Sequence, residues 1–151
     1  MNGGNCMNCQ NSPWVLRANN YIQNATTPNE HRITVQFLLN EGYCGASNRV
    51  KIDDILQHLY QNNIYMSREE FQNNILTELK RQGIVATFVY PGRQGGVFIP
   101  CSESDIREVC LQVISRVCSE LLNLEGLTVH TRFYNIIHTL RINSDSAKNS
   151  I

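Results

Sequence analysis

The pattern of apolar and polar positions predicts three helices in the first two-thirds of the chain. The first begins at Thr27-Pro28-Asn29-Glu30, which combines a capping residue, a proline at the first helical position and a glutamate three residues after the cap. It ends at Gly42. The second is capped by Asp53 and runs to about Tyr60. The third begins at the capping box Ser67-Arg68-Glu69-Glu70 and ends at Gly83, and its predicted buried face is Phe71, Ile75, Leu76 and Leu79.

Extended segments are predicted on either side of these last two helices. The stretch Arg49–Ile52 is a candidate for one short strand before the second helix. After the third helix, Ile84–Tyr90 is β-branched and aromatic, which favours a strand. Pro91–Gly96 forms a glycine-rich turn, and Val97–Ile99 a second strand that Pro100 ends. The pattern therefore predicts a β-hairpin with an extended tip.

Two more helices follow the hairpin. The residues Ser102–Asp105 cap a helix that runs to about Leu124 and is roughly 30 Å long at 1.5 Å per residue. Gly126 is predicted to break it, and Thr128 to cap a final helix. That last helix would turn Val129, Phe133, Ile136, Ile137 and Leu140 inward.

The chain thus divides into four parts, and its expected fold class is mainly α with a small β-hairpin. Residues 1–26 form an Asn-rich segment that is partly flexible, although Trp14 to Ile22 could dock as a short segment. Residues 27–100 hold the three helices and the hairpin, residues 101–143 form a helical pair, and residues 144–151 form a polar tail.

The third helix, SREEFQNNILTELKRQG, runs directly into the hairpin IVATFVYPGRQGGVFIP, and this order resembles the winged helix-turn-helix superfamily. The segment GGVFIP followed by a long helix is similar to small prokaryotic or phage DNA-binding regulators. The resemblance identifies no narrower family. It implies that the third helix enters the major groove of DNA and that the hairpin touches the backbone or the minor groove.

The residue types on the exposed face of the third helix suit this interpretation. Asparagine can pair bidentately with adenine, and threonine can contact the methyl group of thymine. Lysine and arginine suit phosphates, and an arginine at the hairpin tip could reach a groove or a phosphate. The candidate DNA-binding residues are therefore Asn73, Asn74, Thr77, Lys80, Arg81 and Arg93, with Arg49 and Lys51 from the predicted first strand.

The overall charge leaves a second function open. The chain carries 13 basic and 13 acidic residues, so it does not bind nucleic acid by net charge alone. We expect a transcriptional regulator of a bacterium or phage that binds double-stranded DNA. The alternative is a winged-helix module that holds a protein partner and binds no DNA. A continuous basic face would favour the first, and interruption by Glu69, Glu70 and Glu78 would favour the second.

The long helix after the hairpin also predicts a homodimer. Its apolar stripe offers more surface than a three-helix domain needs to cover, and in regulators that this chain resembles, such helices often join two subunits. A dimer could place two recognition helices on half-sites one helical turn apart. The expected interface residues are Ile106, Cys110, Val113, Val117, Leu121 and Leu124.

No enzymatic or metal-binding motif stands out in the sequence. Cys6 and Cys9 have the spacing of half a zinc site, but no second pair follows at a matching distance. Phosphate-binding glycine motifs are absent, and the four histidines belong to no catalytic pattern. We therefore expect neither an enzyme nor a cofactor. With no signal segment and no membrane-crossing apolar run, we expect a cytoplasmic protein whose six cysteines are reduced.

Overall fold

The computed structural model describes residues 9–88 and 95–151. These fall into two compact units, one ending at Asp105 and the other beginning at Ile106. The first unit contains helices α1 (Pro13–Gln23), α2 (Asn29–Asn40) and α3 (Ile52–Gln61). Helix α4 follows as three consecutive segments, Arg68–Glu70, Phe71–Leu76 and Thr77–Arg81, of which the middle one is π-helical. The fold is mainly helical with a small antiparallel hairpin, as the sequence predicts.

The hairpin consists of strands β1 (Ala86–Phe88) and β2 (Gly96–Phe98), with Thr87 opposite Val97. The stretch before α3 touches it through one residue, since Val50 forms an antiparallel bridge with Val97. The strand predicted over Arg49–Ile52 is thus reduced to this bridge, because Ile52 already begins α3. The predicted strand residues Val89 and Tyr90 lie outside the described residues.

The core of the first unit lies between the helices and the hairpin, as the spacing of apolar residues predicts. Phe71, Ile75, Leu76 and Leu79 are at most 4% exposed. They share one apolar cluster with buried residues of the other elements, among them Val35, Leu38, Ile55, Leu59, Val97 and Ile99. Burial of this continuous face is the main stabilising contribution to the unit.

The N-terminal segment is docked through α1. Ser12 caps this helix by accepting a hydrogen bond from the Val15 N–H at 3.1 Å, and Pro13 occupies the first helical position. Its far end is held to α2, where the Tyr21 hydroxyl and His31 Nδ1 lie 2.8 Å apart. The sequence leaves open whether part of residues 1–26 is flexible or docked. Pro13–Gln23 is docked as α1 and belongs to the first compact unit.

A disulfide joins Cys9 to Cys101, so the expectation that all cysteines are reduced is wrong for this pair. The two residues are 92 positions apart in sequence, and the fold brings their Cα atoms to a distance of 5.1 Å. Spacing along the sequence could not reveal this proximity. Cys6 lies outside the described residues, and in the described part no group of three His, Cys, Asp or Glu side chains is placed to hold a metal ion.

The second unit is a pair of helices, α5 (Glu103–Thr128, which begins in the first unit) and α6 (Tyr134–Ser150). The prediction that Gly126 breaks the helix is wrong, since α5 continues through it; one glycine costs a helix only about 1 kcal/mol. Thr128 therefore ends α5 and caps no helix. The last helix continues through most of the predicted polar tail, since residues 144–150 are helical and Asp145 pairs with Arg141 at 3.0 Å.

The contact between α5 and α6 is partly polar, which overturns the predicted inward face of the last helix. Glu125 accepts hydrogen bonds from Arg141 and lies 2.7 Å from His138 Nδ1. These bonds lower the pKa of Glu125 to about 2, the Arg141 guanidinium being the larger cause. Since the polar cluster occupies this contact, four of the residues predicted to point inward are exposed: Val129, Phe133, Ile136 and Leu140. Among the described helices, none is long and apolar enough to cross a bilayer.

Candidate nucleic-acid interface

Helix α4, the start of α3 and the hairpin enclose a groove of about 570 Å³. Four of the residues predicted to bind DNA line it together: Lys51, Asn73, Thr77 and Lys80. The sequence separates Lys51 from the α4 residues by more than twenty positions. Folding therefore places a basic residue from before α3 opposite the polar face of α4.

One wall of the groove is fixed by backbone pairing with the hairpin. The Val50 N–H donates to the Val97 carbonyl at 2.9 Å, and the Val97 N–H donates back to the Val50 carbonyl at 2.8 Å. Lys51 follows directly and is exposed. Helix α3 then starts without a side-chain cap, so its first N–H groups have no capping side chain to bind. Asp53, predicted to cap this helix, lies in its first turn beside Asp54, so Lys51 is the group at this end that suits an anion.

The opposite wall is α4, whose start follows the predicted capping box. The Ser67 hydroxyl accepts from the Glu70 N–H at 3.1 Å, and Glu70 Oε2 accepts from the Ser67 N–H at 2.7 Å. Glu70 is thereby engaged at the end of the helix. Glu78 accepts from the Gln82 amide at 2.8 Å. None of the three glutamates that could have interrupted a basic face, Glu69, Glu70 and Glu78, lines the groove.

The charges that do line the groove are mostly positive. They are Lys51, Arg68 and Lys80 against the single carboxylate of Asp53. Arg68 Nη1 lies 2.9 Å from Asp53 Oδ1, but both side chains are more than half exposed, so solvent screens this pair. Neither lysine has a salt-bridge partner among the residues that the structure describes. A chain of zero net charge thus has a locally positive groove.

The other predicted DNA-binding residues lie elsewhere. Asn74 and Arg81 are exposed on α4 but do not line the groove. Arg49 has structural contacts: its Nη1 donates to the Ala46 carbonyl at 3.0 Å, and its guanidinium carbon lies 5.7 Å from the centre of the Phe88 ring. It lines a second cavity of about 320 Å³ together with Lys51. Arg93 falls outside the described residues.

Sequence reasoning misses polar groove residues, among them Arg68 and Gln72 on α4 and Thr87 on β1. In the sequence, Arg68 is marked only by its place in the capping box. Gln72 sits between the buried Phe71 and the predicted site residue Asn73, and a regular helical period gave no reason to select it. Gln72 lies in the π-helical turn, and the spacing of apolar residues does not predict such a turn.

The second unit exposes apolar residues on both of its helices. Of the predicted dimer residues, Val113, Val117 and Leu124 are 42–47% exposed, whereas Ile106, Cys110 and Leu121 are half-buried. Exposed apolar residues that the prediction did not assign to an interface lie near the end of α5, at Leu122, Leu127 and Val129, and at the start of α6 and along it, at Phe133, Ile136, Leu140 and Ile142. Cys118 is the only buried apolar residue among those that the structure describes in the second unit.

Comparison with known proteins gives one extensive similarity. The chain is 44% identical over 154 residues to a protein of Methanocaldococcus jannaschii that is named "Putative control protein C.MjaVP". The similarity spans 97% of this chain and 94% of that protein. No protein-family model matches the chain, and no solved structure is significantly similar to it. Identity of this extent over nearly the whole length shows that the chain belongs to the same family as C.MjaVP.

Proposed function

We propose that this protein is a transcriptional regulator that binds double-stranded DNA through the groove beside α4, as a winged helix-turn-helix protein. The observation that carries the proposal is the meeting of Lys51, Asn73 and Lys80 on one groove between a helix and a hairpin. The name of the relative, a control protein, supports a regulatory role. The proposed role requires no catalytic residue, metal or cofactor.

The groove residues have different roles in the proposed binding of DNA. Lys51 and Lys80 neutralise phosphates, which supplies affinity that depends on salt. Asn73 reads base edges in the major groove, with Asn74 and Arg81 at the flanks of the same helix. Arg49 holds the wall of the groove through Ala46 and Phe88. Arg93, by the winged-helix resemblance, reaches a phosphate or the minor groove.

A protein partner is the competing function, and one feature favours it. Tyr60 and Tyr65 are 62% and 67% exposed, and their rings meet edge to face at 4.9 Å. Exposed aromatic residues are enriched at protein interfaces. The test is anisotropy of a labelled mixed-sequence duplex at low salt, with single-stranded DNA of the same sequence as the control. Preference for the duplex supports the regulator, and no binding by the folded protein favours the protein-interaction module.

We further propose that the second unit joins two copies of the chain. A unit of two helices that buries so few apolar side chains is too small to have a core of its own. Phe133, Ile136 and Leu140 are spaced by three and four residues, and Val113 and Val117 by four, which is the spacing of helices that pack in bundles. A second copy presents the same stripes and could cover them by twofold symmetry.

The oligomeric state tests this second proposal. Ile136 is 61% exposed, so replacing it by glutamate should not disturb the fold of a monomer, whereas it would place a charge in the proposed interface. We expect the parent to sediment as a dimer and Ile136→Glu as a monomer. Asn149→Glu, at an exposed polar position on the opposite face of the same helix, is the control and should remain dimeric. A monomeric parent would refute the proposal.

A further inference from the structure

The middle of α4 contains one turn that is wider than the others. The Thr77 N–H donates to the Gln72 carbonyl, five residues earlier, and the Thr77 hydroxyl donates to the same carbonyl at 2.8 Å. In regular helices of the same chain, the Thr34 and Thr139 hydroxyls each donate to the carbonyl four residues earlier, at 2.8 Å. The contrast shows that Thr77 is bound to a π-helical turn.

The side chains of this turn face two ways, into the core and into the groove. Ile75 and Leu76 are adjacent in sequence, yet both are buried with Phe71, at 2%, 4% and 0% exposure. A wider turn rotates the chain less per residue, so it can direct two successive side chains inward. The three consecutive residues between Phe71 and Ile75 are all exposed to solvent. The first two of them, Gln72 and Asn73, line the groove.

We propose that Thr77 is a positioning residue, whose hydroxyl holds the wide turn so that the side-chain amides of Gln72 and Asn73 face the groove as a pair. This inference rests on the proposed DNA-binding function and extends it to specificity. Both amide side chains can pair bidentately with adenine in the major groove. The pair would therefore select sites with adenines at this position. Thr77 would act through the Gln72 carbonyl and not through a contact with thymine.

Two substitutions at Thr77 separate these roles. Thr77→Val removes the hydroxyl and keeps a methyl group and the β-branch, whereas Thr77→Ser keeps the hydroxyl and removes the methyl group. The probes are a duplex selected by the parent protein from a library with a randomised centre, and a shuffled duplex of the same composition. The measured quantity is the ratio of the two affinities, together with the salt dependence of each.

We expect Thr77→Val to lower this ratio about tenfold, the amount that loss of a bidentate base contact produces. Thr77→Ser should keep the ratio of the parent. The salt slope should stay unchanged in both, because neither substitution removes a phosphate contact. The reverse result, with serine losing the preference and valine keeping it, would show a thymine contact and overturn the positioning role. Equal ratios in all three proteins would overturn it too.

A measurement without DNA separates failure of this inference from failure of the proposed function. Amide hydrogen exchange of residues 71–77 should become faster in Thr77→Val and stay as in the parent in Thr77→Ser. Unchanged exchange in Thr77→Val would refute the holding role whatever the protein binds. Should the parent bind no duplex while exchange responds as expected, the DNA-binding function would fail and the local role of Thr77 would stand. If Thr77→Val does not fold, Gln72→Ala and Asn73→Ala replace it, and an unchanged affinity ratio in both would refute the base-reading role.

Discussion

Val50 and Val97 exchange two backbone hydrogen bonds, at 2.9 and 2.8 Å, across 47 residues of chain. This pair ties the segment that precedes α3 to strand β2. Because Lys51 follows Val50 directly, the pair also fixes where a basic side chain enters the groove beside α4. The stability of this small bridge and the shape of the proposed DNA-binding groove are therefore coupled.

Gly96 is the residue through which this coupling can be tested. A Cβ atom at this position would lie 2.9 Å from the Val50 carbonyl oxygen and 2.9 Å from the Cβ and Cγ atoms of Arg49. Backbone atoms would have to shift, so Gly96→Ala should destabilise the fold by about 1–3 kcal/mol, the usual range for overpacking. Unfolding in urea gives this value, and weaker duplex binding should accompany it.

Gly126 is the control position for the Gly96→Ala substitution. It lies inside α5, and an added Cβ would meet no other atom within 4 Å. Gly126→Ala should therefore stabilise the protein by about 0.5–1 kcal/mol through the lower entropy of the unfolded chain. The account of the Val50–Val97 bridge would be contradicted if Gly96→Ala were as stable as Gly126→Ala.

Reduction of the Cys9–Cys101 disulfide should lower stability. The bond closes a loop of about 90 residues, and removal of a native disulfide typically costs about 2–4 kcal/mol, since the unfolded chain regains freedom. Cys9→Ser/Cys101→Ser should therefore melt at a lower temperature than the oxidised parent. Cys110→Ser, at a half-buried cysteine outside any disulfide, is the control. A double variant as stable as the parent would show that the bond does not constrain the unfolded chain.

The polar contact between α5 and α6 predicts a dependence on pH. The pKa of Glu125 is about 2 in the folded protein, below its ordinary value of 4.5, because Arg141 and His138 stabilise the carboxylate. Such a group stabilises the fold above pH 4.5, and this contribution is lost as the pH falls from 4.5 towards 2. Glu125→Gln should thus melt below the parent at neutral pH, and the difference should shrink across that interval.

Glu120→Gln controls for removal of one carboxylate from the same helix at an exposed position. Its melting temperature should follow that of the parent at each pH. A difference between Glu125→Gln and the parent that stays constant down to pH 2 would mean that the carboxylate is not held in its charged form by Arg141 and His138.

Helical spacing was sufficient to predict α2, α3, α4 and the core of the first unit. The predicted caps Thr27 and Asp53 are wrong, because α2 and α3 begin after Pro28 and Lys51 without a side-chain cap. Phe71, Ile75 and Leu79 lie on the face that the 3.6-residue period requires, and Ser67 and Glu70 cap as expected. The helical pair is less predictable, because apolar spacing does not mark the contact between its helices. That contact instead contains Glu125 and Arg141, and the apolar stripes remain on the outside.

The groove was only partly predictable, for two physical reasons. Asn73, Thr77 and Lys80 share a helix face, and a helical period finds them. Lys51 joins them only through the tertiary pairing of Val50 with Val97. Gln72 faces the groove in a π-helical turn, whose register departs from the period on which sequence reasoning depends.

The central claim is that the groove beside α4 binds duplex DNA through its lysines. The most direct measurement is the affinity for a mixed-sequence duplex across a salt series, for the parent, Lys51→Ala, Lys80→Ala and the control Lys148→Ala. Lys148 is exposed on α6, in the other unit. The account predicts that each groove variant binds more weakly and reduces the salt slope by about one counterion, while Lys148→Ala matches the parent. Parental affinity and salt slope in both groove variants would contradict it.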